Sequence, residues 1–87
     1  MKINTVFGTT GEYSDRDEWA VISYLDEERA KDHVVRAIEK AKEWEVKRNE
    51  KYTNPPEGWN EYDPKMTMDY NGTYYFYVTT EIADYDR

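Results

Sequence analysis

The chain opens with two short β-prone runs that predict a pair of strands. In residues 3–9 (INTVFGT) the side chains alternate, so Ile3, Thr5 and Phe7 share one face. Residues 19–25 (WAVISYL) are apolar on both faces, which is typical of a strand whose second face is also covered. The segment between them has the glycine and Ser-Asp chemistry of a turn, so the two runs predict a hairpin.

One stretch, from about residue 27 to residue 52, has the periodicity of a long helix. Asp26 is a good N-cap, and the acidic residues after it suit the positive end of the helix dipole. The Asn-Pro-Pro run at 54–56 ends the pattern. The apolar residues recur every three or four positions and form a single stripe: Ala30, Val34, Ala37, Ile38, Ala41 and Trp44. Because half of this stripe is alanine, we expect the helix to pack closely on a sheet.

The last third of the chain predicts a loop followed by a second hairpin. Residues 53–65 contain all three prolines, and a loop of this length is often functional or mobile. Two runs, 66–70 and 73–82, flank the Asn-Gly pair that favours a type I′ turn. Alternation predicts a core face on the last strand beneath the helix: Tyr74, Phe76, Val78, Thr80 and Ile82. The other face is predicted to be solvated or partner-facing: Thr73, Tyr75, Tyr77, Thr79 and Glu81.

Together these elements predict a single α+β domain over residues 1–87. The order is β-β-α-β-β, with one long helix on one face of an antiparallel sheet. Because an isolated hairpin is only marginally stable, the two hairpins are expected to share one sheet. The helix-free face is then exposed unless a loop, a second copy or a partner covers it.

Composition narrows the classes of function. The chain has 87 residues, no cysteine and a net charge of −7, which disfavours direct binding to nucleic acid or to anionic membranes. No apolar run is long enough to span a bilayer, and the first residues lead straight into a strand rather than a signal region. We therefore expect a cytoplasmic protein, in the host cytoplasm if it is viral, and a basic protein partner fits its charge.

The charge is divided unevenly along the chain. Residues 1–28 carry −5, residues 29–52 carry +3 and residues 53–87 carry −5, so the acid lies in the loops and the tail. Acidic loops mixed with aromatic residues are suited to a basic groove on another protein, since charge speeds encounter and aromatics supply contact energy. A mimic of nucleic acid is the most specific form of this hypothesis. The residues predicted to bind such a partner are Tyr13, Asp15, Asp17, Trp59, Glu61, Tyr62 and Asp63.

No motif for catalysis, cofactor binding or metal binding is present. His33 is the only histidine, and a boundary position on the helix explains it better than a ligand or general base. The acidic run that begins at Asp15 lacks the glycine and the final glutamate of a calcium loop. There is no phosphate-binding glycine loop or nucleophile elbow. The protein is therefore predicted not to be an enzyme and to use no cofactor or metal.

Two other functions stay open. The first is a homodimer with a structural or regulatory role, in which Tyr75 and Tyr77 on the last strand form the contact surface. The second is a small-ligand binder, for example for a nucleotide, that uses the basic residues Arg29, Arg36 and Lys40 of the helix.

The Tyr-Ser-Asp turn at 13–15, the strand after it and the helix opening at 23–30 (SYLDEERA) carry a partial resemblance. In these features, residues 3 to about 38 resemble a class of small uncharacterised proteins of bacteriophages and their bacterial hosts. The chain departs from that pattern in its longer helix, its Pro-Pro loop and its second hairpin. The resemblance implies a hairpin followed by a helix, a viral origin and, since small acidic phage proteins often inhibit host enzymes, an inhibitor of a host protein that handles nucleic acid.

Overall fold

The computed structural model describes residues 1–11, 16–47, 54–68 and 72–83. The elements run in the order β1 (Lys2–Thr10), β2 (Asp17–Tyr24), α1 (Glu27–Lys47) and β3 (Thr73–Glu81). The three strands form one antiparallel sheet in the order β2-β1-β3, and α1 packs on one of its faces. The predicted α+β class is confirmed.

Within the described residues the sheet has three strands rather than the four predicted. Of the predicted strand 66–70, residues 66–68 are irregular, and 69–70 lie outside the described residues. This difference arises because two backbone N–H groups of this segment donate hydrogen bonds to the preceding loop instead of to a strand. The Met66 N–H donates to the Asp63 carbonyl at 3.0 Å, and the Met68 N–H donates to the Asn54 side chain at 2.8 Å.

The helix begins as its capping residue predicts. The Asp26 carboxylate accepts a hydrogen bond from the Glu28 N–H at 3.0 Å, and the Asp26 carbonyl accepts the bond from Ala30. Ala30, Ala37 and Ala41 are fully buried, so the small side chains bring the helix axis close to the sheet. The last predicted helical residues, 48–52, lie outside the described residues.

A β-bulge shapes β2. Val6 of β1 lies opposite Ile22, and the next residue, Phe7, lies opposite Ala20, so Val21 is the extra residue. Val21 packs against the core, whereas Ile22 is 40% exposed. Because of the bulge, Val21 packs against the core even though residues 19–25 do not alternate regularly between apolar and polar side chains.

The helix lies over the opposite face of the last strand from the one predicted. Tyr75, predicted to be outward, is 5% exposed and belongs to the core, while Tyr74 and Val78, predicted as core, are 59% and 44% exposed. The Tyr75 hydroxyl donates to Asp63 and the Tyr77 hydroxyl donates to Glu27, each at 2.7 Å. A buried tyrosine needs such an acceptor, and apolar alternation alone does not reveal it.

Candidate functional site

Residues 54–68, which held most of the predicted partner-binding residues, pack against the helix and the sheet. Asn60 is 1% exposed; its side-chain amide donates to the Ala37 carbonyl at 3.4 Å and its Oδ1 accepts from the Tyr62 N–H at 2.9 Å. Trp59 meets Trp44 edge to face, with ring centroids 5.2 Å apart, and the Lys40 ammonium lies 4.9 Å from the Trp59 ring centre. The segment therefore completes the core.

Asp63 is the polar centre of this packing. It is 1% exposed, and its Oδ2 accepts hydrogen bonds from the Trp19 indole at 2.9 Å and the Tyr75 hydroxyl at 2.7 Å. Its Oδ1 accepts from the Lys65 N–H at 3.2 Å. Burial, followed by the hydrogen bond to Asp63, raises the pKa of Tyr75 far above its ordinary value. Asp63 thus joins the loop to two strands, and its carboxylate is not available to a partner.

His33 links the same loop to β2. Its Nε2 lies 2.7 Å from the Tyr62 carbonyl oxygen, which only accepts, so Nε2 carries a proton. In the neutral ring Nδ1 then accepts from the Tyr24 hydroxyl, 2.9 Å away. The Tyr62 ring meets the histidine edge-on at 5.6 Å. Both ring nitrogens therefore form hydrogen bonds within the fold. His33 is half-buried, which is the boundary position on the helix that the sequence predicts.

A shallow groove of about 400 Å³ lies beside this histidine. It contains Arg29, whose guanidinium lies 4.9 Å from the centre of the Tyr24 ring, and Arg36, whose Nε is 2.8 Å from Asp32. The hydrogen bond to Asp32, and then one to Tyr62, raises the pKa of Arg36 above its ordinary value. Lys40, the third basic residue predicted for ligand binding, lies at Trp59 instead. The complete lining is Tyr24, Glu28, Arg29, Asp32, His33, Arg36 and Tyr62.

The predicted acidic and aromatic partner surface is brought together only in part. Asp17 and Glu61 are exposed, Trp59 and Tyr62 are half-buried against the helix, and Asp63 is buried. Tyr13 and Asp15 lie outside the described residues. The placement of Asp63 and Tyr75 on exposed surfaces is therefore wrong, because both side chains are buried.

The helix-free side of the sheet has a different character, and we call it the open face. Its residues come from all three strands: Ile3, Thr5, Phe7, Thr9, Ala20, Ser23, Tyr74, Phe76, Val78 and Thr80. At its middle the Phe7 and Phe76 rings, directly opposite in the register, stack with centroids 5.6 Å apart and planes inclined by 18°. None of these ten residues is charged, and the one charged residue on the same face is Glu18, which lies opposite Thr9 at its end.

The ends of the open face are polar. Arg16 and Glu18 form an ion pair at 2.8 Å, and Arg16 also donates to Thr9 at 3.3 Å. The Thr5 and Ser23 hydroxyls lie 2.8 Å apart across β1 and β2. An exposed aromatic and aliphatic centre with a polar margin is the usual anatomy of a protein-binding surface.

Alternation along the last strand predicts that Phe76 and Val78 lie in the core, so the sequence does not predict this surface. A signal was present in β1, where the positions that alternate with Phe7 include Asn4, Gly8 and Thr10. Gly8 is a sign of close approach: a Cβ added there would lie 2.7 Å from the Trp19 ring. A ring lying directly on the backbone marks Gly8, and with it Val6 and Thr10 two positions away, as the helix-facing side.

Searches of protein-family models, curated protein sequences and solved structures gave no match to the chain. Among the described residues, no helix is long and apolar enough to cross a membrane. Within the same part of the chain, no three metal-ligating side chains come together.

Proposed function

We propose that this protein is a non-catalytic protein-binding module whose docking surface is the open face. The observation that carries the proposal is the stacked Phe7–Phe76 pair at the centre of a partly exposed sheet face whose one carboxylate, Glu18, lies at its end. Large apolar side chains scattered singly need no explanation, but a contiguous patch with a polar margin is characteristic of interaction sites.

The chemistry of the open face defines the kind of partner it suits. Its one charged residue, Glu18, is ion-paired with Arg16 at 2.8 Å, so the face offers no unpaired cation for phosphate groups and no unpaired carboxylate for a basic groove. Its binding energy has to come from burying aromatic and aliphatic surface, and aromatic residues are enriched at such contacts. A partner with an apolar patch of its own matches it best.

The test is a site-specific photo-crosslink. A photoreactive phenylalanine analogue replaces Phe76 in one variant and Val35 in another. Val35 is an apolar helix residue that is 53% exposed, so it serves as a matched control on a different surface. We expect a discrete protein adduct from position 76, in purified protein or in cell extract, and none from position 35. No adduct from position 76, or the same adducts from both positions, would overturn the proposal.

The acidic-loop version of a binding module stays a prediction. It proposes a phage-encoded inhibitor that engages a host nucleic-acid-handling protein, and its support is the exposure of Asp17 and Glu61 and the net charge of −7. A partner held by these charges would be released from immobilised protein by raised salt, whereas a partner on the open face would stay bound. Neutralising Asp17 and Glu61 together, as Asp17→Asn and Glu61→Gln, separates the two versions further.

The groove supports a second candidate function, the binding of a small anionic ligand. Arg29 and Arg36, two of the three helix residues predicted for this purpose, line it together with three aromatic rings. Thermal-shift measurements with nucleotides and inorganic phosphate test this candidate. Stabilisation that disappears in Arg29→Gln and persists in Lys42→Gln, an exposed control on the same helix, would support it. An equal loss in both variants would count against it.

A further inference from the structure

We infer that the partner of the open face binds by adding an extended peptide segment to the outer edge of β3, with apolar residues at alternate positions and basic residues between them. The inference rests on the proposed function and names the part of the partner that makes contact. It joins three observations: the unpaired backbone groups of β3, the contrast between the two edges of the sheet, and the side chains beside the outer edge of β3.

The first observation is the direction of the backbone groups of β3. The strand order leaves β3 with one neighbouring strand, β1. The Ile82 N–H donates to the Met1 carbonyl at 2.7 Å, so in the unbroken antiparallel register every second residue of β3 counted back from Ile82 bonds to β1. The N–H and C=O groups of Tyr77, Thr79 and Glu81 therefore point outward. Among the described residues, none of these outward groups has a hydrogen-bond partner.

The free part of this edge begins at Tyr77. Nearer the start of the strand, Thr73 and Tyr75 are buried, and the Thr73 hydroxyl donates to the Thr67 carbonyl. From Tyr77 to Glu81 the edge is about 16 Å long, which accommodates a short extended segment. Another strand is the ligand that matches alternating backbone donors and acceptors at this spacing, and peptides bind sheet edges in this way in many complexes.

The second observation is that only one of the two edges of the sheet is protected against such pairing. Proteins protect an edge strand with bulges, prolines and charged side chains. The β2 strand has a bulge at Val21, and the ion pair of Arg16 and Glu18 lies at its start. Between Thr73 and Thr80, β3 contains no bulge, proline or charged residue. The outer edge of β3 is therefore the one suited to strand addition.

The third observation is the difference between the side chains on the two sides of this edge. Directly opposite residues of neighbouring strands share a side of the sheet and lie about 5 Å apart. On the open face, the added segment has Phe76 and Val78 beside it, which favours apolar residues. On the helix side, Glu27 accepts a hydrogen bond from the Tyr77 hydroxyl at 2.7 Å. Within the described part of the chain Glu27 forms no ion pair, so a lysine or arginine of the segment suits it.

The first experiment uses a heptapeptide of alternating valine and lysine, titrated into labelled protein. We expect the amide resonances of Tyr77, Thr79 and Glu81 to shift and that of Lys40 to stay in place. Two further peptides carry N-methyl groups on the valine amides or on the lysine amides. Since only one alternate set of amides faces β3, one methylated peptide should bind as the parent does and the other should not. Equal binding of the two, or no binding of the parent, would overturn the inference.

The second experiment alters the edge itself. Thr79→Pro removes an outward N–H without removing a hydrogen bond to β1, and proline is tolerated at such edge positions. Thr79→Val is the matched control, because it loses the same hydroxyl but keeps the N–H. Thermal unfolding confirms that both variants fold. Thr79→Pro is expected to weaken peptide binding by at least about tenfold, and Thr79→Val to bind as wild type does. An equal loss in both would assign binding to the side chain and overturn the inference.

The same variants separate this inference from the proposed function. If position 76 forms a protein adduct that Thr79→Pro leaves unchanged, and no peptide binds, the added strand is wrong and the open face remains a docking surface. If there is neither an adduct nor peptide binding, both are wrong. If no peptide binds and sedimentation shows a wild-type dimer that Thr79→Pro abolishes, the occupant of the edge is a second copy and the inference is overturned.

Discussion

The helix-facing side of the sheet and the open face are built from the same three strands, but they differ in whether their polar side chains are buried and hydrogen-bonded. On the helix side, buried polar side chains have partners inside the protein: Thr10 donates to the Gly72 carbonyl at 2.6 Å, and Asn4 accepts from the Thr79 hydroxyl at 2.6 Å. Among the described residues, no buried side-chain nitrogen or oxygen lacks a hydrogen bond. The open face instead presents phenylalanine and valine to solvent.

This difference shows that apolar content alone does not decide which face becomes the core. Burying a polar group without a partner costs more than leaving an aromatic ring partly wet, so the side with complete hydrogen bonding is the one the helix covers. Substitutions on the helix-facing side should therefore change stability, and those on the open face should change association.

The largest effect is expected at Asp63. Asp63→Ala leaves the Trp19 indole and the Tyr75 hydroxyl buried without an acceptor, and should lower the free energy of unfolding by about 3 kcal/mol. The control is Asp17→Ala, which removes the same charge from an exposed site and should stay within about 0.5 kcal/mol of wild type. Urea unfolding of both variants measures the difference. Equal losses would mean that charge, rather than the buried hydrogen bonds, sets the stability.

The next effect is expected at Gly8. A Cβ there would lie 2.7 Å from the Trp19 ring, so Gly8→Ala should push the indole from its place and cost about 2 kcal/mol. Denaturant unfolding followed by tryptophan fluorescence measures the loss. Combining the change with Trp19→Leu should remove most of the cost, because the clashing ring is gone. If Gly8→Ala costs the same in both backgrounds, the close approach is not its cause.

A pair of identical substitutions compares the two faces directly. Val6 is fully buried on the helix side, and Val78 is 44% exposed on the open face. Val6→Thr buries a hydroxyl and should cost about 1.5 kcal/mol, whereas Val78→Thr should cost less than about 0.5 kcal/mol. Both variants are measured at the same low protein concentration. A larger loss for Val78→Thr would reverse the assignment of the faces.

The smallest effect is expected at alkaline pH, through Tyr75. Its folded-state pKa is raised above the unfolded value of 10.0, first by burial and then by Asp63. A raised folded pKa means that the stabilisation is complete below pH 10 and is lost as the pH rises further, at up to about 1.4 kcal/mol per pH unit. Tyr75→Phe should flatten this slope. Unfolding followed against pH tests it, and an unchanged slope in Tyr75→Phe would contradict the assignment.

Local signals in the sequence predicted local structure well. The capping chemistry of Asp26 and the alanine stripe predicted where the helix starts and which side it buries, because both depend on neighbouring residues. The β1–β2 hairpin likewise follows from the turn residues between two β-prone runs. These elements explain why the α+β class could be read without a structure.

The faces of the strands depended on contacts between residues far apart in the chain. Tyr75 is buried because its hydroxyl reaches Asp63, and Trp19 reaches the same carboxylate across 44 positions. Residues 66–68 do not form the predicted strand, because the Met68 N–H donates its hydrogen bond to the Asn54 side chain. In the sequence Asp63 looks like any other acidic loop residue, so the partner surface is predicted on the loop. Apolar alternation along the last strand assigns the open face to the core.

The strand order has a consequence for how the protein is made. β1 is the central strand and is synthesised first, and β2 pairs with one of its edges soon afterwards. Its other edge has to wait for β3, which begins at Thr73, so that edge stays unpaired until synthesis has passed β3. Unpaired strand edges are sites of aggregation during folding. We therefore expect truncated chains that end before Thr73 to aggregate.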